Sequence, residues 1–258
     1  AVPAWFENKR FAGSENSTTI CFINSTTTAM AISEDFKEML QDVADYAVQH
    51  ARYNEFEEED CRFILALRET VGQIRNSENT ISQQNVKRAM AFSIAFSSFR
   101  QHHGGECAVG FFNAMMTSLC WFDKGASDAF SVRTVTSIDC SKCKARVTKH
   151  QPAENGILVA LAGVTIGRIE LSDLVGSYLA PVDLADRKCE KCATSTSAVK
   201  MTNWVGSGPS TLVIQIQRLD DQARRSDVAV GVPTEGWQLP DSKSVYDVQA
   251  AVHHTAGH

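Results

Sequence analysis

Four of the eight cysteines in this 258-residue chain form two Cys-x-x-Cys pairs, Cys140-Ser141-Lys142-Cys143 and Cys189-Glu190-Lys191-Cys192. No other feature limits the fold as strongly. Two such knuckles can wrap four thiolates tetrahedrally around one Zn²⁺. Because 45 residues separate Cys143 from Cys189, a shared ion would tie together two distant hairpins rather than close one compact finger. Lys142, Lys144 and Lys191, within and beside the pairs, favour the thiolate form. Four cysteines fill the coordination shell, so the ion's role would be structural. Bound metal would then supply folding free energy on the order of 10 kcal/mol. The competing readings are four unrelated thiols or a redox pair. A redox Cys-x-x-Cys normally occurs once, near a βαβ unit.

Composition narrows the class. Hydrophobic residues make up 43% and charged residues 21%, enough apolar material for a sizeable core and too much for a disordered chain. The formal net charge of −5 argues against a general nucleic-acid binder, whose affinity comes from phosphate contacts. The uncharged apolar stretch from Cys107 to Phe122 is shorter than the ~18 residues a membrane span needs. It is also interrupted by Asn113, Thr117 and Ser118. The start, Ala1-Val2-Pro3-Ala4-Trp5-Phe6-Glu7, has neither the basic nor the apolar region of a secretory signal. With no export signal, the cysteines point to thiolate chemistry in a reducing compartment, cytoplasm or nucleus. The absence of an initiator Met and the ending at Gly257-His258 suggest a piece of a longer polypeptide.

Hydrophobic spacing separates two halves, about 1–125 and about 126–258. In the first, Ser33 can cap a helix whose apolar positions are Phe36, Met39, Leu40, Val43, Ala47 and Val48. The run Glu57-Glu58-Glu59-Asp60 suits the positive end of a following helix and reads as a solvated helix start. Phe63, Ile64, Leu67, Val71 and Ile74 lie on that helix's inner face. A further helix is expected from about Gln83 to Phe99. His102-His103 and Gly104-Gly105 read as an exposed loop, and Glu106 opens an apolar segment with Met115 and Met116 in the core. Cys61, Cys107 and Cys120 read as core thiols. In the second half Phe130, Val132, Thr134, Thr136 and Ile138 alternate at strand spacing. Leu158 to Ile169 and Thr211 to Leu219 also read as strands. Ser172 to Leu179 reads as a short helix capped by Ser172, and Asp220 to Lys243 as turn-rich. Helices first and antiparallel strands later make an α+β protein.

The N-terminal region holds Asn16-Ser17-Thr18-Thr19-Ile20-Cys21-Phe22-Ile23-Asn24-Ser25. A polar stretch leads into one cysteine, and a helix-compatible segment follows. A cysteine at a helix N-terminus forms its thiolate more readily. The other end reads Tyr246-Asp247-Val248-Gln249-Ala250-Ala251-Val252-His253-His254, then Gly257-His258. A cysteine early and a histidine late is the papain-type order. Together these segments resemble the ubiquitin-specific protease family of cysteine deubiquitinases, over nearly the whole chain and in the family's order. Asn16 to Ser25 is similar to the cysteine box. Glu106 to Met116 weakly resembles the second box. The paired Cys-x-x-Cys motifs fall where the family has its zinc ribbon. Ser172 to Leu179 and Pro209 to Arg218 resemble the segments flanking the second pair, and Tyr246 to His258 resembles the histidine box.

The resemblance implies a single catalytic domain over 1–258 with a papain-like fold: a helical thumb, and a β-rich palm and fingers carrying a zinc ribbon. It assigns Cys21 as nucleophile, His258 as general base and Asn16 to the oxyanion hole. His254 matches a non-catalytic histidine of the same box, and Glu106 a contact to ubiquitin's basic tail. Cys140, Cys143, Cys189 and Cys192 would hold structural Zn²⁺. The implied partners are ubiquitin and ubiquitinated proteins, with no nucleic acid and no membrane. The implied activity is hydrolysis after ubiquitin's C-terminal glycine by a thiol protease. Ile20 stands where the family usually has Thr, and Thr18 where it usually has Gly. The Gln-Gln-Asp lettering of the second box is missing. The family's third triad residue, an Asp or Asn, follows the position of His258, so the domain is expected to be incomplete at its C-terminus. Asp241 and Asp247 read as surface residues, not substitutes for it. These departures keep open a catalytically inactive relative that binds ubiquitin or acts as a scaffold, and a zinc-ribbon interaction module without ubiquitin.

Overall fold

The computed structural model describes residues 21–50, 58–77, 79–101, 108–161, 164, 167–218 and 226–252. Asn16, His102, His103, Glu106, Cys107, His254 and His258, singled out above, lie outside the described residues. Two compact units divide the chain, residues 1–129 with 248–258, and residues 130–247.

The first unit is helical: α1 (Cys21–Ala31), α2 (Glu34–His50), α3 (Glu58–Asn76), α4 (Gln84–Met90), a 3₁₀ segment (Ile94–Gln101) and α5 (Ala108–Phe122). In α1, Phe22, Ile23, Asn24, Thr26, Thr27, Met30 and Ala31 are all buried. Its three consecutive threonines are poor helix formers, so packing rather than propensity holds this helix. Phe22 meets Phe111 of α5 edge-on at 5.8 Å. Thr26 donates its hydroxyl to the Ala108 carbonyl at 3.3 Å. Phe96 lies between Phe63 (4.6 Å) and Phe111 (5.6 Å), so an aromatic chain joins α3, the 3₁₀ segment and α5.

Helix α2 starts as its sequence requires, with Ser33 Oγ accepting the Phe36 N–H at 3.2 Å. Phe36, Leu40, Val43 and Ala47 face inward, but Val48 is exposed. Helix α3 begins in the acidic run. Asp60, however, is buried rather than solvated, and it accepts the Ile94 N–H at 3.2 Å. That bond helps explain a second difference. The expected helix over about 83–99 is interrupted between Met90 and Ile94. A continuous helix would use the Ile94 N–H within its own ladder, whereas here Asp60 takes it. Ser93 is buried while Phe92 and Ile94 are exposed.

The second unit carries a four-stranded antiparallel sheet in the order β2-β1-β6-β5, built from β1 (Thr134–Cys140), β2 (Arg146–His150), β5 (Val182–Lys188) and β6 (Ser195–Trp204). The strand expected from Phe130 begins only at Thr134. Before it, Val132 makes an isolated bridge to Glu154. Two further ladders are parallel, which corrects the expectation of antiparallel strands throughout. β3 (Ile157–Ala160) pairs with β7 (Ile214–Gln217), and β4 (Arg168–Glu170) with β8 (Ala229–Gly231). Partners so far apart in sequence return by crossover rather than by hairpin. The stretch read as turn-rich, Asp220 to Lys243, contains β8 and also β9 (Trp237–Gln238), which pairs in a two-stranded ribbon with β10 (Val245–Tyr246) just beyond it.

Helix α6 (Leu171–Leu179) buries Leu171, Leu174, Val175 and Leu179. Leu171, Leu174 and Val175 join Ile157, Val159, Trp237 and Leu239 in one apolar core. Tyr178 packs at its edge, its ring stacked 5.9 Å from Trp204. Glu170, not Ser172, occupies the N-cap position. Ser172 lies one residue inside the helix, and its hydroxyl accepts the Trp237 indole N–H at 2.8 Å.

Candidate functional site

The two Cys-x-x-Cys pairs sit at the tips of two hairpins. Cys140 ends β1, and Cys143 lies in the turn to β2. Cys189 follows β5, and Cys192 lies in the turn to β6. The turns repeat one geometry. The Cys140 N–H donates to the Ala145 carbonyl at 2.9 Å, and the Cys189 N–H to the Thr194 carbonyl at 3.0 Å. The residue after the second cysteine has a left-handed backbone in both, with φ 58° at Lys144 and 52° at Ala193. β1–β6 pairing sets Cys140 opposite Ala198 and brings the turns together. Ser141 Oγ lies 2.8 Å from Thr196 Oγ1 and accepts the Ser197 hydroxyl at 3.0 Å.

All four sulfurs lie within 4.8 Å of one another. Cys140 and Cys192 are 4.0 Å apart, and Cys143 and Cys189 3.6 Å. These separations are nearly twice a disulfide's ~2.05 Å. They bracket the ~3.8 Å edge of a sulfur tetrahedron built on metal–sulfur bonds of ~2.3 Å. The donor set therefore fits one tetrahedral thiophilic cation.

The thiols respond differently to this crowding. The Thr194 hydroxyl, then its N–H, pulls the Cys192 thiol down to about 6. The Cys143 N–H lowers Cys140. At Cys143 the Ala145 N–H favours the thiolate, but burial and the protons shared with the other three cysteines outweigh it and push the thiol up to about 11. Neighbouring thiolates repel, so full deprotonation of such a set requires a compensating cation.

The second candidate is Cys21, the first residue of α1. The sequence reading of a helix directly after the polar stretch is met. Of the residues assigned with it, Asn16 and His258 lie outside the described residues. Asp241 and Asp247 are exposed as expected, and Asp247 accepts the Gly236 N–H at 2.7 Å. Met115, Met116 and Cys61 are buried, whereas Cys120 is half-buried.

Sequence reasoning missed Arg75. Its Nη1 donates to the Ala31 carbonyl at the end of α1 at 2.7 Å. The same guanidinium pairs with Glu34 at the start of α2. The available signal was the absence of a basic residue in the last turn of α1, which leaves its terminal carbonyls to a donor from elsewhere.

With this geometry in hand, comparison with known families gives one assignment. The family model described as ubiquitin carboxyl-terminal hydrolase matches residues 12–244. The chain belongs to this family of thiol hydrolases. The match includes Cys21 and all four clustered cysteines, and it ends before Tyr246. Among curated proteins, none matches the chain. Among the described residues, no helix is long and apolar enough to cross a membrane.

Proposed function

We propose that the chain is a deubiquitinase that cleaves the isopeptide or peptide bond after ubiquitin's C-terminal glycine. The family match across 12–244 carries this reading. The start of the buried helix α1 at Cys21 agrees with it. The Cys21 thiolate attacks the glycine carbonyl, and the His258 imidazole takes the thiol proton. Asn16 and nearby N–H groups hold the oxyanion. Loss of one such donor typically costs about 10²–10³ in rate. The C–N bond breaks as His258 returns the proton to the leaving amine, leaving a thioester on Cys21. A water that gives its proton to the same imidazole then hydrolyses the thioester. Two glycines pass a channel too narrow for side chains, which gives specificity by shape.

The four-cysteine cluster holds Zn²⁺ in this reading, through Cys140, Cys143, Cys189 and Cys192. A four-sulfur shell has no open position, so the ion fixes two hairpin tips and takes no part in bond cleavage. The alternative, an inactive ubiquitin-binding relative, is favoured by Thr18 and Ile20, which replace the residues usual before the nucleophile.

A ubiquitin probe with a C-terminal propargyl group separates the two. Hydrolase function predicts a covalent adduct on Cys21 that is lost in Cys21→Ala. Binding without an adduct would leave the scaffold reading, and neither binding nor adduct would refute both.

A further inference from the structure

Helix α1 carries none of the usual charge complements of a helix, with no acidic residue in its first turn and no basic residue in its last. Its C-terminal carbonyls nevertheless have partners. The Ser33 N–H donates to the Met30 carbonyl at 3.0 Å. The Ala31 carbonyl accepts Arg75 Nη1 at 2.7 Å, from a residue 44 positions away on α3. The Arg75 side chain is only 14% exposed. Its second arm pairs with Glu34, which also binds Lys37 at 3.3 Å. Among the described residues, Arg75, Glu34 and Lys37 form ion pairs at this end, Asp35 stands beside Glu34 in the first turn of α2, and Arg75 bonds to α1. The Arg75 hydrogen bond is the largest influence holding the Glu34 carboxyl below its usual range.

We infer that Arg75 is a positioning residue for the nucleophile, acting on Cys21 through the whole length of α1. This rests on the reading of Cys21 as the attacking thiol. A helix places partial positive charge at its first residue and partial negative charge at its last. Arg75 neutralises the negative end, and its charge adds to the potential that favours an anion at the positive end. It also fixes the axial seat of α1, because the same guanidinium is tied to the first turn of α2. Glu34 has the opposite electrostatic sign: it holds Arg75 in place and subtracts from its field.

The two charges therefore predict opposite effects on one observable. A helix of 11 residues is ~16 Å long. A unit charge over that distance, at effective dielectric constants between those of a protein surface and bulk water, changes thiolate formation about 1.5- to fivefold. Loss of Arg75 raises the Cys21 pKa, and loss of the Glu34 charge lowers it. Simple loosening of the helix would move both variants the same way.

The experiment is the pH dependence of Cys21 alkylation by iodoacetamide in the folded full chain, read by peptide mass spectrometry. Buried Cys61 serves as an internal control for unfolding. Arg75→Met should slow alkylation at pH 7 by about 1.5- to fivefold through a raised pKa. Arg75→Lys should restore most of the rate, and Glu34→Gln should shift the pKa downward. An unchanged profile in Arg75→Met, or shifts of the same sign in Arg75→Met and Glu34→Gln, overturns the inference. If Arg75→Met does not fold, Glu34→Gln decides alone, and an unchanged or raised pKa refutes the role. Alkylation needs no ubiquitin, so the result is independent of the hydrolase reading. A wild-type chain without a ubiquitin adduct but with opposite shifts upholds Arg75 and refutes the activity. An adduct with no shifts does the reverse.

Discussion

Gly208 lies beneath the Tyr246 hydroxyl so closely that a Cβ there would collide with it. That Cβ would also approach Leu239 Cδ2 and Tyr246 Cζ, each at 3.4 Å. The hydroxyl donates to the Pro209 carbonyl at 2.8 Å. Burial holds the phenol pKa above its usual value, so the group remains a donor at neutral pH. Gly208→Ala introduces overpacking of about 1–3 kcal/mol, offset by about 0.4–1 kcal/mol from a less flexible unfolded chain. Tyr246→Phe removes one half-buried hydrogen bond, about 0.5–1.5 kcal/mol. In the double variant the added methyl enters the space the hydroxyl has left, and the collision disappears. The pair should therefore be less destabilised than the sum of its parts, by roughly 1–3 kcal/mol. Urea unfolding followed by tryptophan fluorescence suits the measurement, because the Trp237 ring centre lies 6.3 Å from that of Tyr246. Agreement with simple additivity to within about 0.5 kcal/mol would show that Gly208 is not there to admit the hydroxyl.

Two further outcomes are expected. The purified chain should bind one zinc by elemental analysis. Chelation or Cys189→Ala should remove the metal and lower the melting temperature of the 130–247 unit, and full stability retained without metal would refute a structural ion. Asp139 accepts two bonds from Arg146, both at 2.7 Å, and these hold its carboxyl below the usual range. A depressed folded pKa gives stability that is present above the unfolded value and lost as pH falls through the folded one. Asp139→Asn should therefore flatten the fall in melting temperature from about pH 4 downward, and an unaltered slope would show that the pair contributes nothing.

What the sequence disclosed follows from how local the cause was. Ser33 and the apolar spacing after it define α2 through contacts three and four residues apart, and the two Cys-x-x-Cys turns close on themselves. The break before Ile94 was invisible because Asp60, 34 residues away, takes its amide. Ser172 has the chemistry of a cap, yet its hydroxyl is committed to Trp237, 65 positions on. The parallel pairing of β3 with β7 depends on a crossover that no alternation pattern encodes. At the candidate active site, the cysteine helix was legible from its polar lead-in. Arg75 was not, because nothing in a local window connects it to Ala31.

The β3–β7 ladder has a consequence for assembly. Ile157 and Ile214 are paired although 57 positions apart, and closing so long a loop costs about 3–4 kcal/mol in chain entropy. Cys189 and Cys192 lie inside that loop, while Cys140 and Cys143 precede it. An ion captured by all four would bridge into that loop and shorten the closure left to the ladder, a saving of less than about 1 kcal/mol, so its main contribution would be to join the two hairpin tips rather than to bring the ladder's strands together.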